Sequence, residues 1–521
     1  MATAKNIAKA AGFIMFMTII ARVLGYVRDI VLLSQFGANY TTDAYIVAFT
    51  VPDFIYNLLV GGALSSAFIP TFSSYLSKDQ ENEAWKVASI AANYTVIALG
   101  ILVTVAAIFA NQFIHLLAPG LPPHYAGLAA MLTRIMLVQT VIMALGGLSL
   151  GVLNSKQHFT SPAIGMVLYN LGPIVIGLGF ASAWGIKAFS IGVVVGALLN
   201  LAVQIPALKK AGIKYYPSLE FHPGFKQILL LMLPVILGLA VTQINLIVNQ
   251  NIASGLSDGI ISALKICQRL VLLPIGIFGM SVSMAVFPTL TAQAARNEMT
   301  DFKRTYMLGI RALLLIGLPA GVGLMALGGP IIELLFQMGK FDASDTSMTV
   351  NILFFYGLGV FAYTALQLAN RGFYALKDTV TPVIISVIGI GVNIALSIIL
   401  TKYYLGQGLA LSYTISGTVN LCLLLIMLRL KIGPMGGGQL LKTVAISGGA
   451  SLVMFYAARG AAAGLGGIVH FSDKLNQAII VSAGVGVGIL VYALIIVLFR
   501  LEETELIVNM VKKRIPGLAK G

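Results

Sequence analysis

Residues Thr18–Ile30 read Thr-Ile-Ile-Ala-Arg22-Val-Leu-Gly25-Tyr26-Val-Arg28-Asp29-Ile and lie within the first long apolar segment of the chain. A charged side chain at the centre of a bilayer costs about 2.5–3.5 kcal/mol on insertion scales, so three charges here require a polar environment. Four residues follow the i, i+3, i+4, i+7 spacing of one helical face, namely Arg22, Gly25, Tyr26 and Asp29. Arg28 lies beside that face. We interpret the pattern as the cationic wall of a water-filled cavity, because Arg22 lies too deep to reach lipid headgroups, which is the alternative.

The whole chain has the composition of a helical membrane protein. Its 521 residues are 58% hydrophobic and 10% charged, and the mean hydropathy is +0.94. Apolar segments of about 20 residues, long enough to cross the hydrocarbon layer, recur from end to end. We predict fourteen transmembrane helices, of which the second and eighth are long enough to be broken or tilted: 10–35, 41–74, 86–110, 127–153, 160–183, 188–208, 226–250, 258–292, 305–327, 348–373, 380–401, 407–430, 441–463 and 476–499.

The basic residues orient these segments. With the N-terminus inside, the predicted outer loops contain only Lys187, Lys340, Lys402, Arg459 and Lys474. Most other Lys and Arg residues fall in inner loops, which is a strong positive-inside signal. Both termini are therefore predicted to be cytoplasmic. The net charge of +15 faces the anionic inner leaflet in this topology and does not indicate nucleic-acid binding.

Three motifs recur in the same order at an offset of 218 to 220 residues. They are Gly61–Ser73 with Gly279–Thr291, Lys156 before Ser161-Pro162 with Lys377 before Thr381-Pro382, and Asn200-Leu201 with Asn420-Leu421. This regularity predicts an internal duplication. A repeat of six helices gives both copies the same orientation in the membrane, as in transporters whose halves are related by an axis along the membrane normal.

The duplication predicts a division of the chain into four parts. We expect an N-terminal six-helix lobe at 1–215, a C-terminal six-helix lobe at 216–431, an additional helix pair at 432–500 and a cytoplasmic tail at 501–521. The fold class is thus an all-α polytopic membrane protein with two parallel lobes around a central cavity. Transporters of this design bind substrate between their halves.

Further charges lie within predicted segments. Lys265 and Arg269 are four residues apart, one helical turn, with no acidic residue near them in sequence. Asp29 and Asp43 could hold the arginines of the first lobe, but an excess of basic groups remains. Arginine suits bidentate binding of phosphate or carboxylate, so these residues predict an anionic substrate. Arg134 and Arg311 lie nearer to segment ends, and we expect both to be interfacial.

Motifs for catalysis are missing from the sequence. It contains no phosphate-binding Gly-x-x-x-x-Gly-Lys-[Ser/Thr] loop, no His-Glu-x-x-His and no Gly-x-Ser-x-Gly. Asp342 and Asp345 have the spacing of a metal-binding pair, but they are better explained as a helix start. The histidines are scattered, and Cys267 and Cys422 occupy separate segments. We therefore expect no metal site and no cofactor, and a transporter rather than an enzyme.

Several of these stretches resemble the MurJ (MviN) family of lipid II flippases. The matching stretches are Ala-Arg22-Val-Leu-Gly-Tyr-Val-Arg28-Asp29, Thr-Asp43-Ala-Tyr-Ile-Val-Ala-Phe, Ala-Phe-Ile-Pro70, Gln-Arg269-Leu, Phe-Pro288-Thr-Leu and Arg371-Gly-Phe-Tyr-Ala-Leu-Lys377-Asp378-Thr-Val-Thr-Pro382. The resemblance covers the whole chain. It implies the fold of the multidrug/oligosaccharidyl-lipid/polysaccharide (MOP) exporters.

The resemblance also implies a function and a set of site residues. The implied cargo is the undecaprenyl-pyrophosphate-linked peptidoglycan precursor, moved from the inner to the outer leaflet of the bacterial plasma membrane. Its cavity arginines map onto Arg22, Arg28 and Arg269, with Asp29 and Asp43 alongside, and residues 441–499 would form a groove for the lipid tail. By the same resemblance, the cell-wall synthesis machinery is a candidate partner, and no nucleic acid is expected.

Other functions are less consistent with the residues. A drug or cation exporter of the same superfamily would need an acidic, aromatic-lined cavity. A membrane-embedded glycosyl- or phosphotransferase would need clustered carboxylates to hold a metal, and a scaffold would leave the intramembrane arginines unexplained. A flippase for another polyprenyl-linked oligosaccharide needs the same charges. It therefore stays open as the main alternative.

Overall fold

The computed structural model describes residues 4–58, 64–466, 473–499 and 501–504, and all regular structure in these ranges is helical. The helices in chain order are α1 (Ala4–Phe36), α2 (Tyr40–Tyr56), α3 (Ser65–Leu76), α4 (Glu81–Ile108), α5 (Ala110–Leu117), α6 (Pro123–Ser155), α7 (Thr160–Trp184), α8 (Lys187–Lys210), α9 (Pro223–Ser254), α10 (Ile260–Pro274), α11 (Met280–Ala295), α12 (Met299–Leu335), α13 (Ala343–Gly357), α14 (Val360–Ala375), α15 (Val380–Ile432), α16 (Gly437–Gly466) and α17 (Asp473–Leu498).

Many of these helices can cross a membrane. Within the described ranges, ten spans are long and apolar enough, counting α10 and α11 as one. An eleventh results if α13 and α14, which meet at a bend of 42°, are taken as one span. The prediction of an all-α polytopic membrane fold is therefore confirmed. The predicted tail at 501–521 lies almost entirely outside the described residues.

The second and eighth predicted segments are both broken, as their length suggested. In the second, α2 contains Pro52 and passes into a π-helical turn at 57–58 before α3 begins. In the eighth, α10 ends at Pro274, and a π-helical turn at Ile275–Gly279 leads into α11. A proline removes a backbone donor and disturbs the preceding turn, and π-helical turns absorb the resulting change in register. Residues 59–63, of which 61–63 begin the repeated motif, lie outside the described ranges.

The backbone repeats certain unusual conformations along the chain. Three pairs of residues with positive φ are separated by 218 or 220 residues: Asp79 (57°) with Asn297 (58°), Gln157 (60°) with Lys377 (59°), and Gly185 (57°) with Leu405 (50°). These are the offsets of the repeated sequence motifs. At Leu405, α15 changes direction and is effectively two helices, at the position where α7 and α8 are separated by Gly185.

Contacts divide the chain into two compact units. Unit 1 comprises Met1–Ile261 with Gly339–Phe341, and unit 2 comprises Ser262–Met338 with Asp342–Gly521. Helix α9 belongs to unit 1 because it packs on α3, α4 and α5. The lobe boundary at residue 215, which rests on the sequence repeat, stays a prediction.

Unit 1 is built around α6, which contacts α2, α3, α4, α5 and α8. Its core includes the buried aromatic side chains of Phe68, Phe72 and Trp85. Helices α7 and α8 pack most closely. A Cβ atom on Gly172 would lie 2.4 Å from the Gly192 carbonyl oxygen. Small residues at such crossings let membrane helices approach closely enough for dispersion contacts along their backbones.

Unit 2 is built around α12, which contacts α11, α13, α14, α16 and α17. Phe302, Tyr306 and Phe373 are fully buried in its core. The C-terminal helices α16 and α17 pack on each other and on α12. The predicted additional helix pair is thus attached to the longest uninterrupted helix of this unit.

Candidate functional site

The charged face of α1 lies on one continuous helix, so its predicted spacing is present in the structure. Arg28 Nε and Nη2 each lie 3.1 Å from Asp29 Oδ1. The two side chains are 17% and 20% exposed, so the ion pair is partly shielded from water. Arg22 lies on the exposed part of the helix. Asp29 therefore fixes the orientation of the Arg28 guanidinium, and Arg22 faces the surroundings of unit 1.

Asp43 lies in the first turn of α2 and is only 2% exposed. The helix begins with a capping box in which Asn39 and Thr42 exchange hydrogen bonds, which sets the direction of this turn. Asp43 Oδ2 accepts a hydrogen bond of 3.0 Å from the backbone N–H of Gly259, immediately before α10. The sequence predicted a role for Asp43 beside the arginines, and the structure adds that its carboxylate joins the starts of α2 and α10.

Two further contacts lie in the same region of unit 1. Gly120 N donates to Ser254 Oγ at 3.1 Å, and Lys340 N donates to the Ser34 carbonyl at 2.8 Å. A Cβ atom on Gly120 would lie 2.3 Å from the Ser254 carbonyl oxygen, so the backbones touch. Ser34 is near the end of α1, and Ser254 ends α9. We call these six residues the end cluster: Ser34, Asp43, Gly120, Ser254, Gly259 and Lys340.

The contacts of the end cluster follow the internal repeat. Ser34 and Ser254 are 220 residues apart, and Gly120 and Gly339 are 219 apart. A Cβ atom on Gly339 would lie 2.1 Å from the Ser34 carbonyl oxygen. The equivalent distance from a Cβ atom on Gly120 to the Ser254 carbonyl oxygen is 2.3 Å. Equivalent helix ends therefore make equivalent backbone contacts. Such close packing leaves no room for a side chain at Gly120 or Gly339.

The two cations of α10 lie on one side of that helix. Lys265 is exposed and Arg269 is half-buried. The opposite side is packed, since Cys267 is fully buried with its Sγ 3.3 Å from the Thr349 carbonyl. Gln268 donates to the Tyr356 hydroxyl at 3.3 Å. The predicted pair thus lies on a different side of α10 from the buried Cys267.

A groove of about 650 Å³ lies in unit 2 between α10, α12, α16 and α17. Its lining is almost entirely apolar and includes Leu270, Leu327, Met454 and Ile489. On α12 it extends from Leu315 to Leu335. At 1.5 Å per residue this is about 30 Å, similar to the thickness of the hydrocarbon layer.

Arg311 is not interfacial, contrary to the expectation from its sequence position, because it is buried inside unit 2 with 5% exposure. Its Nε lies 2.8 Å from Glu503 Oε1, and its Nη2 lies 3.1 Å from Glu502 Oε2. The guanidinium groups of Arg311 and Arg304 hold the pKa of Glu502 below its ordinary value. The signal in the sequence was the Glu502-Glu503 pair, which directly follows the last span. Arg134, in contrast, is exposed, and its interfacial position stays a prediction.

The remaining acidic pair of the sequence analysis begins a helix. Asp342 is the N-cap of α13 and accepts hydrogen bonds from the backbone N–H groups of Ser344 and Asp345, at 2.8 and 3.0 Å. The prediction of a helix start is confirmed. Across the described ranges, no group of three or more His, Cys, Asp or Glu side chains has a geometry that could hold a metal ion.

Known proteins resemble this chain over most of its length. The family model for lipid II flippase MurJ matches residues 32–482. The probable lipid II flippase MurJ of Buchnera aphidicola subsp. Acyrthosiphon pisum is 32% identical over 424 residues, covering 80% of this chain and 83% of that protein. The lipid II flippase MurJ of Burkholderia cenocepacia is 32% identical over 439 residues, covering 81% and 84%.

Two solved structures have the same fold as this chain. A lipid II flippase MurJ in an inward closed conformation matches with a TM-score of 0.78 and 29% identity, covering 93% of this chain and 98% of that one. An inward-facing multidrug resistance transporter of the MATE family, within the MOP superfamily, matches with a TM-score of 0.65 and 15% identity, covering 79% and 94%. The second likeness shows the fold alone.

Proposed function

This chain belongs to the lipid II flippase MurJ family, and from that membership we infer that its cargo is lipid II, the undecaprenyl-pyrophosphate-linked precursor of peptidoglycan. It is a transporter of the bacterial inner membrane and not an enzyme. We propose further that it moves lipid II from the cytoplasmic to the outer leaflet by alternating access. The long lipid stays in the bilayer, while the polar headgroup crosses through a wet cavity.

The pyrophosphate needs cationic partners inside the membrane, and Arg22, Arg28, Arg269 and Lys265 can supply them. A guanidinium binds phosphate oxygens in a bidentate manner, and a charge-assisted hydrogen bond is about twice as strong as a neutral one. Asp29 lies within 3.1 Å of two nitrogens of Arg28 and limits its motion. A held guanidinium loses less side-chain entropy when it binds an anion.

The depth of two arginines is the observation that carries this proposal. Arg28 lies eight residues before the end of α1, and Arg269 lies nine residues after the start of α10. Each is therefore about 12–14 Å from its helix end. The Asp43–Gly259 hydrogen bond joins the start of α2, which follows α1, to the start of α10. We propose that Arg28 and Arg269, each more than two turns inside its own helix, both contribute to binding the pyrophosphate of lipid II.

The finer topology is also part of the proposal. Eleven spans meet the criteria of length and hydropathy, with α13 and α14 taken as one. Three more bring the total to fourteen: α1, the broken pair α2 and α3 taken as one span, and the division of α15 into two spans at Leu405. The repeated positive φ angles at offsets of 218 and 220 support two parallel six-helix lobes, 1–215 and 216–431, followed by the pair at 432–500. Both termini are then cytoplasmic, and the end cluster faces outward.

The lipid tail has a suitable binding place in the groove of unit 2. Its apolar lining and its length of about 30 Å along α12 fit an isoprenoid chain in the bilayer. The cell-wall synthesis machinery is a proposed partner, since the enzymes that polymerise lipid II must receive it at the outer surface.

We would test the function in cells depleted of this protein by measuring lipid II accessible at the outer surface. Wild-type protein should restore it, whereas Arg28→Ala and Arg269→Ala should each lower the rate of appearance about 10- to 100-fold, the value of one charged hydrogen bond. Arg134→Ala is the matched control, because that arginine is exposed and donates to the Ala107 carbonyl.

Each result has a definite meaning. Full rescue by either variant would contradict the proposed role of that arginine in binding the pyrophosphate. Normal surface lipid II during depletion, with loss of another lipid-linked glycan, would favour the alternative of a flippase for a different polyprenyl-linked oligosaccharide.

A further inference from the structure

We propose that the segment Leu501–Thr504, held by Arg311, is a fixed plug at one end of the groove and sets the length of lipid chain that the groove accommodates. This inference rests on the proposal that the groove holds the lipid tail. It makes the plug a determinant of specificity for chain length, separate from the cations that bind the headgroup.

The plug is held by a buried set of ionic contacts. The Arg311 and Glu503 side chains, 6% and 1% exposed, pair at 2.8 Å. Arg311 Nη1 donates to Gln439 Oε1 at 2.9 Å, and Arg311 Nη2 lies 3.1 Å from Glu502 Oε2. Thr443 Oγ1 donates to Glu503 Oε1 at 3.2 Å. The segment is therefore attached to both α12 and α16 just after α17 ends.

The same contacts form the end of the groove. Arg311 and Leu315 are one turn apart on α12 and share a face. Leu315 lines the groove, as does Thr504. Leu501, 6% exposed, packs in one apolar cluster with Leu315 and Ile496. The groove therefore ends at the plug, where Leu315 of α12 and Thr504 of the plug both line it.

A charged side chain also joins α17 to α12 at the opposite end of the groove. Lys474, near the start of α17, donates to the carbonyls of Glu333, Leu334 and Gln337 at 2.6, 3.1 and 3.0 Å. The carbonyls of Glu333 and Leu334 belong to the last turn of α12, where a cation is favourable, and that of Gln337 lies just beyond it. Because α17 is fastened to α12 at both ends, the length of the groove between them is fixed.

A buried ion pair is a suitable device for this purpose. Such pairs add little net stability compared with apolar residues, but they define position, because a shifted partner would leave a charge buried alone. An apolar contact at this place could slide along the groove when a lipid entered. The Arg311–Glu503 pair holds the plug at one depth.

The experiment compares lipid II analogues that carry three to eleven isoprene units, using purified protein in proteoliposomes. The double variant Arg311→Met/Glu503→Met removes the pair without leaving an isolated charge. Its curve of flipping rate against chain length should extend to longer chains. Two buried methylene groups correspond to about a tenfold change in affinity, so a shift of one isoprene unit changes the long-to-short rate ratio by more than about tenfold.

Two variants test the plug and the groove without touching the ion pair. Thr504→Trp should enlarge the plug and shift the curve to shorter chains. Gly323→Leu should shorten the usable groove in the same way, since a Cβ there meets only the end of Met454 at 4.0 Å. The control for the groove is Gly329→Leu, also on α12, where a Cβ meets nothing within 4 Å.

The control for the double variant is Arg296→Met/Glu298→Met, an exposed pair at 3.9 Å just before α12. Curves of the two plug variants that overlay the wild-type curve, while Gly323→Leu shifts, would overturn the plug and leave the groove standing. No shift in any variant would mean that the groove does not hold the tail. If the double variant does not fold, the result for Thr504→Trp decides the question.

Discussion

The end cluster predicts how firmly the helix ends around Asp43 are held together within unit 1. Asp43→Ala removes the carboxylate that accepts the Gly259 N–H bond of 3.0 Å. Asp43 is 2% exposed, so this hydrogen bond is lost in a site that water does not readily fill. The perturbation should weaken the closed arrangement and leave α2 folded, because the capping box of Asn39 and Thr42 is independent of it.

The size of the effect follows from the type of bond. A hydrogen bond to a charged group contributes about 1.5–3 kcal/mol. A value of about 2 kcal/mol corresponds to about a thirtyfold change in the ratio of the intact end cluster to the separated one. The interaction of Asp43 with the α2 helix dipole is the same in both states and cancels. Asp43→Asn keeps an acceptor oxygen but loses the charge, so its effect should be about fivefold, from a loss of about 1 kcal/mol.

The assay is labelling of Ser254→Cys by a membrane-impermeant maleimide. Ser254 is 2% exposed in the closed end cluster, and its Oγ accepts from Gly120. The background carries Cys422→Ser, because Cys422 is exposed, whereas the buried Cys267 can stay. Labelling should be slow in this background and about thirtyfold faster after Asp43→Ala.

Labelling at Lys402→Cys, an exposed position of the proposed outer surface, controls for reagent access and should be the same in both backgrounds. Equal rates at Ser254→Cys with and without Asp43→Ala would refute the reasoning. The hydrogen bond from Gly259 to Asp43 would then not hold the end cluster together.

Two predictions concern other positions. Leu405 has φ 50° and ψ −133°, a conformation suited to glycine, and its repeat partner is Gly185. Leu405→Gly should raise the free energy of unfolding by about 1 kcal/mol, since relief of strain exceeds the entropic cost of glycine. A lower thermal midpoint of the variant in detergent would contradict this prediction. Lys431 and the N–H of Thr381 hold the pKa of Asp378 at about 2, below its ordinary value. The stabilisation is therefore present above about pH 4 and lost as pH falls through about 2. Asp378→Asn should thus lower the thermal midpoint at pH 7 but less so near pH 3, and a gap that does not change with pH would rule this out.

The sequence predicts best those features that depend on neighbouring residues. The spacing of Arg22, Gly25, Tyr26 and Asp29 is local, so one helix suffices to place them together. The break in the eighth segment follows from its length, and it falls at Pro274 because of the chemistry of that residue. The repeat was visible because short motifs recur at a nearly constant offset, and equivalent turns share their backbone conformations even where their residues differ.

Long-range partners were not predictable in the same way. The acceptor of the Gly259 N–H is Asp43, 216 residues away, and nothing near either residue indicates the pairing. The position of Arg311 near a segment end predicted that it lies at the membrane interface. Its burial depends on Glu502 and Glu503, which are about 190 residues away in sequence. The groove was expected only from the family resemblance, since an apolar lining has no pattern distinct from that of a lipid-facing surface.

The pairing of Arg311 also affects the order in which the protein is made. Arg311 precedes Glu502 by 191 residues, so a ribosome working at about 5–20 residues per second makes the carboxylate roughly 10–40 s after the arginine. During that interval α12 must enter the bilayer with its guanidinium held by water or lipid headgroups, at the cost that insertion of a charge carries. The translocon therefore handles a helix that is not yet self-sufficient. The ion pairs that bound one end of the groove therefore form only after residues 502 and 503 have been translated.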